Sequence, residues 1–299
     1  MYGTGPTGPA DAGGPAPVDA PTPAGTSAHP VMTTRIALSG PTGGRARLDV
    51  AGGALSCRRL PDEDGTVRVA LVATQALLLA GDHVRIELDV APGLVLEVVE
   101  ITGTVAYDMQ GGRASWDVDV QVGAGALLVW DALPFVVATG ADVTRSARVE
   151  LAEGAVAVLR ETFVLGRTGE AGGLLTTSTH ARLAGRPLLV ETLTVSPESR
   201  RDPALLGGAR CLDTVTVLGA RYEDDAPAGA DVLQLDRPGT LVRTFGTDAH
   251  RGDLAVTVTR ARAAVSPSVV DVGSESTAVG GPAGSGRTLD GGGRTTGTP

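Results

Sequence analysis

The chain has 299 residues, 42% hydrophobic but only 3% aromatic; every basic residue is an arginine and the formal net charge is −9. A sizeable core must therefore be filled by Val, Leu and Ala, and the negative balance argues against a nucleic-acid or anionic-membrane surface. The two cysteines, Cys57 and Cys211, stand far apart in no metal-binding spacing. That fits a reducing compartment, with one long-range bridge as the alternative.

Residues 1–30 are rich in Gly, Pro, Ala and Thr, show no apolar periodicity and read as a disordered leader. They carry no basic segment followed by an apolar one, so no secretory signal is expected, and the chain reads as cytoplasmic. Residues 31–264 read as one β domain, and residues 265–299 as a second disordered stretch of Gly, Ser and Thr. Within the domain, short apolar and polar alternations are separated by Gly, Pro or Asp. Arg45 to Val50 alternates. Val69 to Ala80 is the longest apolar run, but Thr74 and Gln75 interrupt it and it is too short to span a bilayer. From His83 to Val90, residues Val84, Ile86, Leu88 and Val90 share one face. From Trp116 to Val122, residues Trp116, Val118, Val120 and Val122 point inward, with Asp117 and Asp119 on the solvent side. Val149 to Phe163 and Leu188 to Val195 are also strand-like. Asp202 to Arg210 predicts a short helical turn, capped by Asp202 or Ser199 and stopped by Gly207-Gly208.

One unit recurs four times: a strand, a glycine-centred corner and a second strand. The copies begin at Arg47, Glu87, Asp119 and Arg148, with corner glycines Gly53, Gly93, Gly125 and Gly154. Such units cannot each bury their own apolar face, so they stack or close on one another. The expected fold is mainly β, a β-helix-like stack of short strands with a few short helices; a β-sandwich is the alternative.

A catalytic set is not evident. His29, His83, His180 and His250 lie apart, and no metal-ligand pair, nucleophile elbow or phosphate loop is present. Tyr222-Glu223-Asp224-Asp225 reads as exposed loop charge. Arg58 and Arg59 would lower the pKa of Cys57, yet an idle thiol is the expected reading.

The conspicuous feature is Leu159 to Gly173, a charge cluster inside an apolar run. Gly166 and Gly169 bracket Arg167 and predict a tight turn with positive φ, read as a hairpin corner pinned by an ion pair. Alternation puts Glu161 on the same face as Leu159 and Phe163. If that face is core, the carboxylate needs Arg167, the backbone N–H groups of the turn, or a wet passage through the protein. Arg167 is expected to tie Glu161 or Glu170.

Arg160-Glu161 through Gly166-Arg167-Thr168-Gly169-Glu170 resembles the E-x4-GR-x-GE signature of the urease accessory protein UreD (UreH) family. Gly81-Asp82, the segment from Glu100 to Tyr107-Asp108, the Trp130 to Thr139 stretch with Pro134-Phe135, and Pro187 to Glu191 resemble further family segments in the same order. The resemblance covers about residues 35–260. It departs from the family pattern at Val99 to Tyr107 and before Pro134-Phe135.

The resemblance implies a non-enzymatic maturation factor with a β-helix-like fold. It would bind apo-urease together with UreF-like and UreG-like partners and assist nickel insertion, with no tightly bound cofactor. Arg160, Glu161, Gly166, Arg167, Gly169, Glu170, Tyr107, Pro134 and Phe135 become candidate structural or partner-binding residues. Asp82, Glu161 and Glu170 become candidates for a transient nickel path, because isolated carboxylates bind a divalent ion weakly enough to release it. The alternatives are a stacked-β enzyme acting on polysaccharide and a structural β-repeat interaction protein.

Overall fold

A computed structural model describes residues 1, 3, 30–41, 44–224, 227–249 and 253–265. The expected leader and tail fall almost wholly outside these residues, as do His29, His250 and Asp225. In chain order the strands are β1 (Val31–Ser39), β2 (Arg47–Ala51), β3 (Leu55–Arg59), β4 (Val67–Ala73), β5 (His83–Val90), β6 (Val95–Glu100), β7 (Thr104–Ala106), β8 (Ala114–Val122), β9 (Leu127–Asp131), β10 (Phe135–Val137), β11 (Asp142–Leu151), β12 (Val156–Leu165), β13 (Leu174–Leu183) and β14 (Arg186–Val195). A 3-10 turn, Ser199–Arg201, precedes β15 (Cys211–Leu218), β16 (Asp231–Gln234), β17 (Gly239–Gly246) and one helix, α1 (Ala255–Val265).

The strands form two facing sheets. The first runs β14-β13-β11-β8-β5-β1-β2 and the second β16-β17-β15-β12-β9-β6-β4-β3. The four glycine corners carry β2 into β3, β5 into β6, β8 into β9 and β11 into β12, each passing from the first sheet to the second. Successive coils therefore stack in parallel: β5 on β8 and β8 on β11 in one sheet, β6 on β9 and β9 on β12 in the other. Antiparallel pairs close both ends of the stack, β1–β2 and β3–β4 at one, β13–β14 and β12–β15–β17 at the other. This is a solenoid-like stack; the parallel pairing and the sheet-to-sheet corners distinguish it from a simple sandwich. Gly93, Gly125 and Gly154 have φ of 69°, 62° and 69°, the left-handed region where glycine is least strained. The corners also bond to one another: Gly93 N–H donates to Ala124 O at 2.9 Å and Gly125 N–H to Glu153 O at 3.2 Å.

The alternating strands bury one face as expected. Val84, Ile86, Leu88 and Val90, and Trp116, Val118, Val120 and Val122, all belong to the core between the sheets. Leu127, Val129, Val158, Val215 and Val242 point the other way from the second sheet and pack with Leu254, Val258 and Ala261 around α1. A third, short ladder stacks β7, β10 and the final residues of β12, with Phe135 opposite Thr104 and Phe163. The coils of β6 and β9 break before this ladder; β12 runs through without a break, and Glu161 sits at that level.

Two expectations need correction, and a third point concerns the cysteines. Leu159–Gly173 is not a hairpin corner: β12 lies in the second sheet and β13 in the first, so the turn carries the chain between sheets. Its glycines do take positive φ, 90° at Gly166 and 83° at Gly169. The helical element starts earlier than predicted, at Ser199, with Glu198 as its N-cap. Asp202 instead caps the following turn, accepting a bond from Ala204 N–H at 2.9 Å. Cys57 and Cys211 are both free, and burial pushes the Cys57 thiol up rather than letting the neighbouring arginines pull it down.

Candidate functional site

Strand alternation separates the neighbours Arg160 and Glu161. Arg160 leaves the outer face of the second sheet; Glu161 enters the space between the sheets. Outside, Arg160 is held by three carboxylates. Its Nε and Nη2 donate to the two oxygens of Asp213 at 3.0 and 2.7 Å, Nη2 also to Asp253 at 2.9 Å, and Nη1 to Asp131 at 3.2 Å. Asp213 is buried and also accepts from Thr162 Oγ1 at 3.0 Å and Leu254 N–H at 3.0 Å. Arg160 thus fastens the segment leading into α1. Burial opposes the charged guanidinium, but the hydrogen bonds to Asp213 and the charges of Asp213, Asp131 and Asp253 together outweigh it and raise its pKa.

Inside, the partner of Glu161 is Arg145 on β11, in the facing sheet, with Arg145 Nη2 2.5 Å from Glu161 Oε1. Of the two partners expected for Arg167, Glu161 or Glu170, it takes Glu170. Arg167 bonds Glu170 within the exposed turn, Nε to Oε1 at 2.7 Å, while Arg167 N–H reaches Glu170 Oε2 at 3.0 Å. That bonding holds the Glu170 carboxyl down at about 2.

Three of the chain's few aromatic rings surround the Arg145 guanidinium. Its central carbon lies 4.6 Å from the Phe135 centroid, 5.3 Å from Phe163 and 5.5 Å from Trp116. The rings meet edge to face, Trp116 to Phe135 at 5.9 Å and Phe135 to Phe163 at 6.2 Å. Cation–π attraction of this kind strengthens when the cation is desolvated, as here.

Cavities run between the sheets on either side of this bridge. A small one of about 10 Å³ is lined by Glu100, Trp116, Phe135, Arg145, Glu161 and Thr162, among others. A second, about 40 Å³, passes Arg145, Arg160, Glu161, Thr179 and Thr216 along a wall that also includes apolar Val118, Val120 and Val149. A third, about 180 Å³, continues past Thr177, Thr179, Thr214 and Thr216 to Glu191 and Arg243. Glu161 lines all three. Glu100 accepts hydrogen bonds from Trp130 Nε1–H at 3.2 Å and Leu133 N–H at 3.1 Å. Burial nevertheless drives its carboxyl up to about 7; those two bonds and the Arg145 charge pull it back only in part.

The other expected site residues are dispersed. Phe135 joins the ring cage, and Pro134 O accepts from Thr104 N–H at 3.2 Å where the chain enters β7. Tyr107 is exposed just after β7, and its N–H donates to Leu78 O at 3.1 Å. Gly166 N–H donates to Val137 O at 2.8 Å, and its carbonyl accepts from Arg210 Nη2 at 2.7 Å. Asp82 closes a tight turn, its Oδ2 accepting from Leu79 N–H at 2.9 Å. Of the carboxylates Asp82, Glu161 and Glu170, only Glu161 lines the cavities just described. Sequence alone does not single out Arg145, Glu100 or Asp213. Parity carries a signal for the first two: Arg145 falls in phase with buried Val143 and Val149, and Glu100 with buried Leu96 and Val98.

Among the described residues no cluster of three or more His, Cys, Asp or Glu side chains could hold a metal ion, and no helix is long and apolar enough to cross a membrane. A sequence model of the family described as UreD urease accessory protein matches residues 27–274. A protein of Streptomyces griseus named urease accessory protein UreD 1 is 43% identical over 232 residues, covering 77% of this chain and 90% of that protein. Proteins named urease accessory protein UreD from Streptomyces avermitilis and Streptomyces coelicolor are 36% and 34% identical, over 70% and 67% of this chain and 84% and 82% of their own lengths. With a family match across most of its length and relatives of that name, the chain belongs to the UreD urease accessory protein family.

Proposed function

We propose that this protein acts in urease maturation as a non-enzymatic scaffold that binds apo-urease, in a complex with UreF-like and UreG-like partners, and conducts nickel between its two sheets. The observation that carries the conduit is the position of Glu161. One carboxylate lines three cavities, whose walls include Glu100 at one end and, at the other, threonine hydroxyls and a second charged pair, Glu191 with Arg243. Carboxylate, hydroxyl and water oxygens hold a divalent transition metal loosely, which suits transfer better than storage. Arg160 also lines the second cavity, but its guanidinium is bonded to Asp213, Asp131 and Asp253 and fastens the segment leading into α1. Exposed apolar side chains on neighbouring coil breaks, Ile101 and Leu133, and on the nearby turn, Tyr107, suit a protein that works within a complex. The working place of such a complex is the cytoplasm, where urease is assembled, and no prosthetic group is required.

Co-expression with urease subunits and the other accessory proteins tests this reading. Glu161→Ala should leave co-purification with urease intact while urease nickel content and activity fall several-fold. Full urease activation in a strain lacking this chain would sink the maturation role; loss of the complex in Glu161→Ala would make Glu161 an architectural residue and not part of a conduit.

A further inference from the structure

We propose that Arg145 is the counter-cation that closes the interior cavities at Glu161, and that a divalent cation passes by taking the Glu161 carboxylate from it. The proposal rests on the conduit reading and adds the residue that sets its selectivity. Arg145 spans the gap between the sheets, from β11 to Glu161 on β12, and lines both the cavity on the Glu100 side and the next one. Glu161 also lines the third cavity. The ion pair thus stands where the linings of the three cavities meet.

A fixed positive charge at that point would repel a cation strongly, because the surroundings are poorly solvated. The surrounding groups remove that objection. Two carboxylates, Glu100 and Glu161, face one guanidinium across the small cavity. When both are ionised the triad carries a net charge of −1, by simple addition of two negative groups and one positive. The guanidinium also has somewhere to stay. Opening a buried ion pair ordinarily strands a bare charge, but Trp116, Phe135 and Phe163 already present their ring systems to Arg145. Planar, weakly hydrated guanidinium is the cation best suited to such a cage. Its Nε has no hydrogen-bond partner in the structure, so one donor is free to be satisfied by water when the bridge opens.

The exchange is purely electrostatic: the incoming ion binds Glu161, and Arg145 remains in the cage without its carboxylate. A monovalent ion offers Glu161 no more charge than Arg145 does and gains little by replacing it. A divalent ion offers twice the charge. Arg145 therefore selects for divalent over monovalent cations without any histidine or thiolate ligand.

Equilibrium dialysis of the purified full-length chain against nickel(II) chloride in physiological sodium chloride tests the proposal. Arg145→Met keeps the length of the side chain and removes its charge; nickel should bind at least tenfold more tightly than to the wild type. Arg145→Met combined with Glu161→Gln should abolish that gain. Affinity within twofold of wild type in Arg145→Met, with unchanged circular dichroism, overturns the proposal. If Arg145→Met does not fold, Glu161→Gln decides: it removes the group the ion must take, and nickel binding should drop at least tenfold; undiminished binding overturns the proposal. The maturation role fails separately. Urease activation that proceeds without the chain sinks that role, whereas activation that still needs the chain, with nickel binding insensitive to Arg145 and Glu161, sinks only the gate.

Discussion

Glu100 sits in an environment far from that of a carboxyl in water. Its carboxyl titrates at about 7, chiefly because burial penalises the charged form. A folded value raised above the unfolded one means that the stabilising contribution is complete below the unfolded value near 4.5 and is lost as pH rises through 7. Glu100→Gln cannot ionise, so its urea midpoint should vary less between pH 5 and 8 than that of the wild type. Above pH 7 the variant should gain on the order of 2 kcal/mol relative to the wild type; a parallel pH dependence of the two midpoints would show that Glu100 is not the group responsible. At this scale much of the site is latent in the sequence. The two-residue period that puts Glu161 inside β12 also puts Arg145 inside β11 and Glu100 inside β6. What the period cannot supply is the pairing. Arg145 meets Glu161 across two facing sheets, so its partner depends on how the sheets are aligned. Arg167 is nearer in sequence, but the turn that holds it folds back on Glu170 instead.

At the scale of the element, the turn from β12 to β13 shows which glycines are replaceable. Both Gly166 and Gly169 have positive φ, yet their surroundings differ. A Cβ on Gly169 would meet nothing within 4 Å, whereas one on Gly166 would lie 2.8 Å from Gly172 N and 2.9 Å from Glu170 O. Gly169→Ala should therefore cost only the backbone strain, about 1–2 kcal/mol. Gly166→Ala adds a clash with main chain that cannot rotate away, for a total of about 2–5 kcal/mol. Urea unfolding midpoints of the two variants check the order; equal losses would mean that the turn relaxes around the added methyl. The recurrence of strand, glycine corner and strand was legible because a corner needs glycine and the flanking strands need apolar alternation, and both leave marks in the sequence. The destination of the corner leaves none. Gly166 and Gly169 signal a turn, but a hairpin and a crossing between sheets ask the same of them, and the choice belongs to the strands on either side. The 3-10 turn at Ser199 is hard to place for a similar reason: Ser196, Glu198, Ser199 and Asp202 can all bond nearby backbone, and several caps compete.

For the whole molecule, the two sides of the second sheet do different work. Its inner face lines the cavities, while its outer face is covered by α1, which is tied at both ends. Asp253 and Leu254 bond Arg160 and Asp213 at the start of the helix; Arg262 Nη1 bonds Glu97 Oε2 on β6 at 2.6 Å near its end. Arg160 sits on β12 directly beside Glu161, so a loss of function on changing Arg160 could be mistaken for a conduit effect. The geometry separates the two. Removing the Arg160 charge leaves Asp213 buried and stripped of its principal partner, the situation that costs about 3–5 kcal/mol. Arg160→Met should lose stability on that scale and expose α1 to limited proteolysis, because the groups that seat its first turn are released. Arg160→Met with Asp213→Leu removes the buried carboxylate together with its partner and should recover part of the thermal stability, although Asp131 and Asp253 still lose their arginine. Nickel binding by the double variant should match the wild type, as neither side chain belongs to the triad of Glu100, Arg145 and Glu161. A double variant that regains stability but not nickel binding would place Arg160 in the conduit after all.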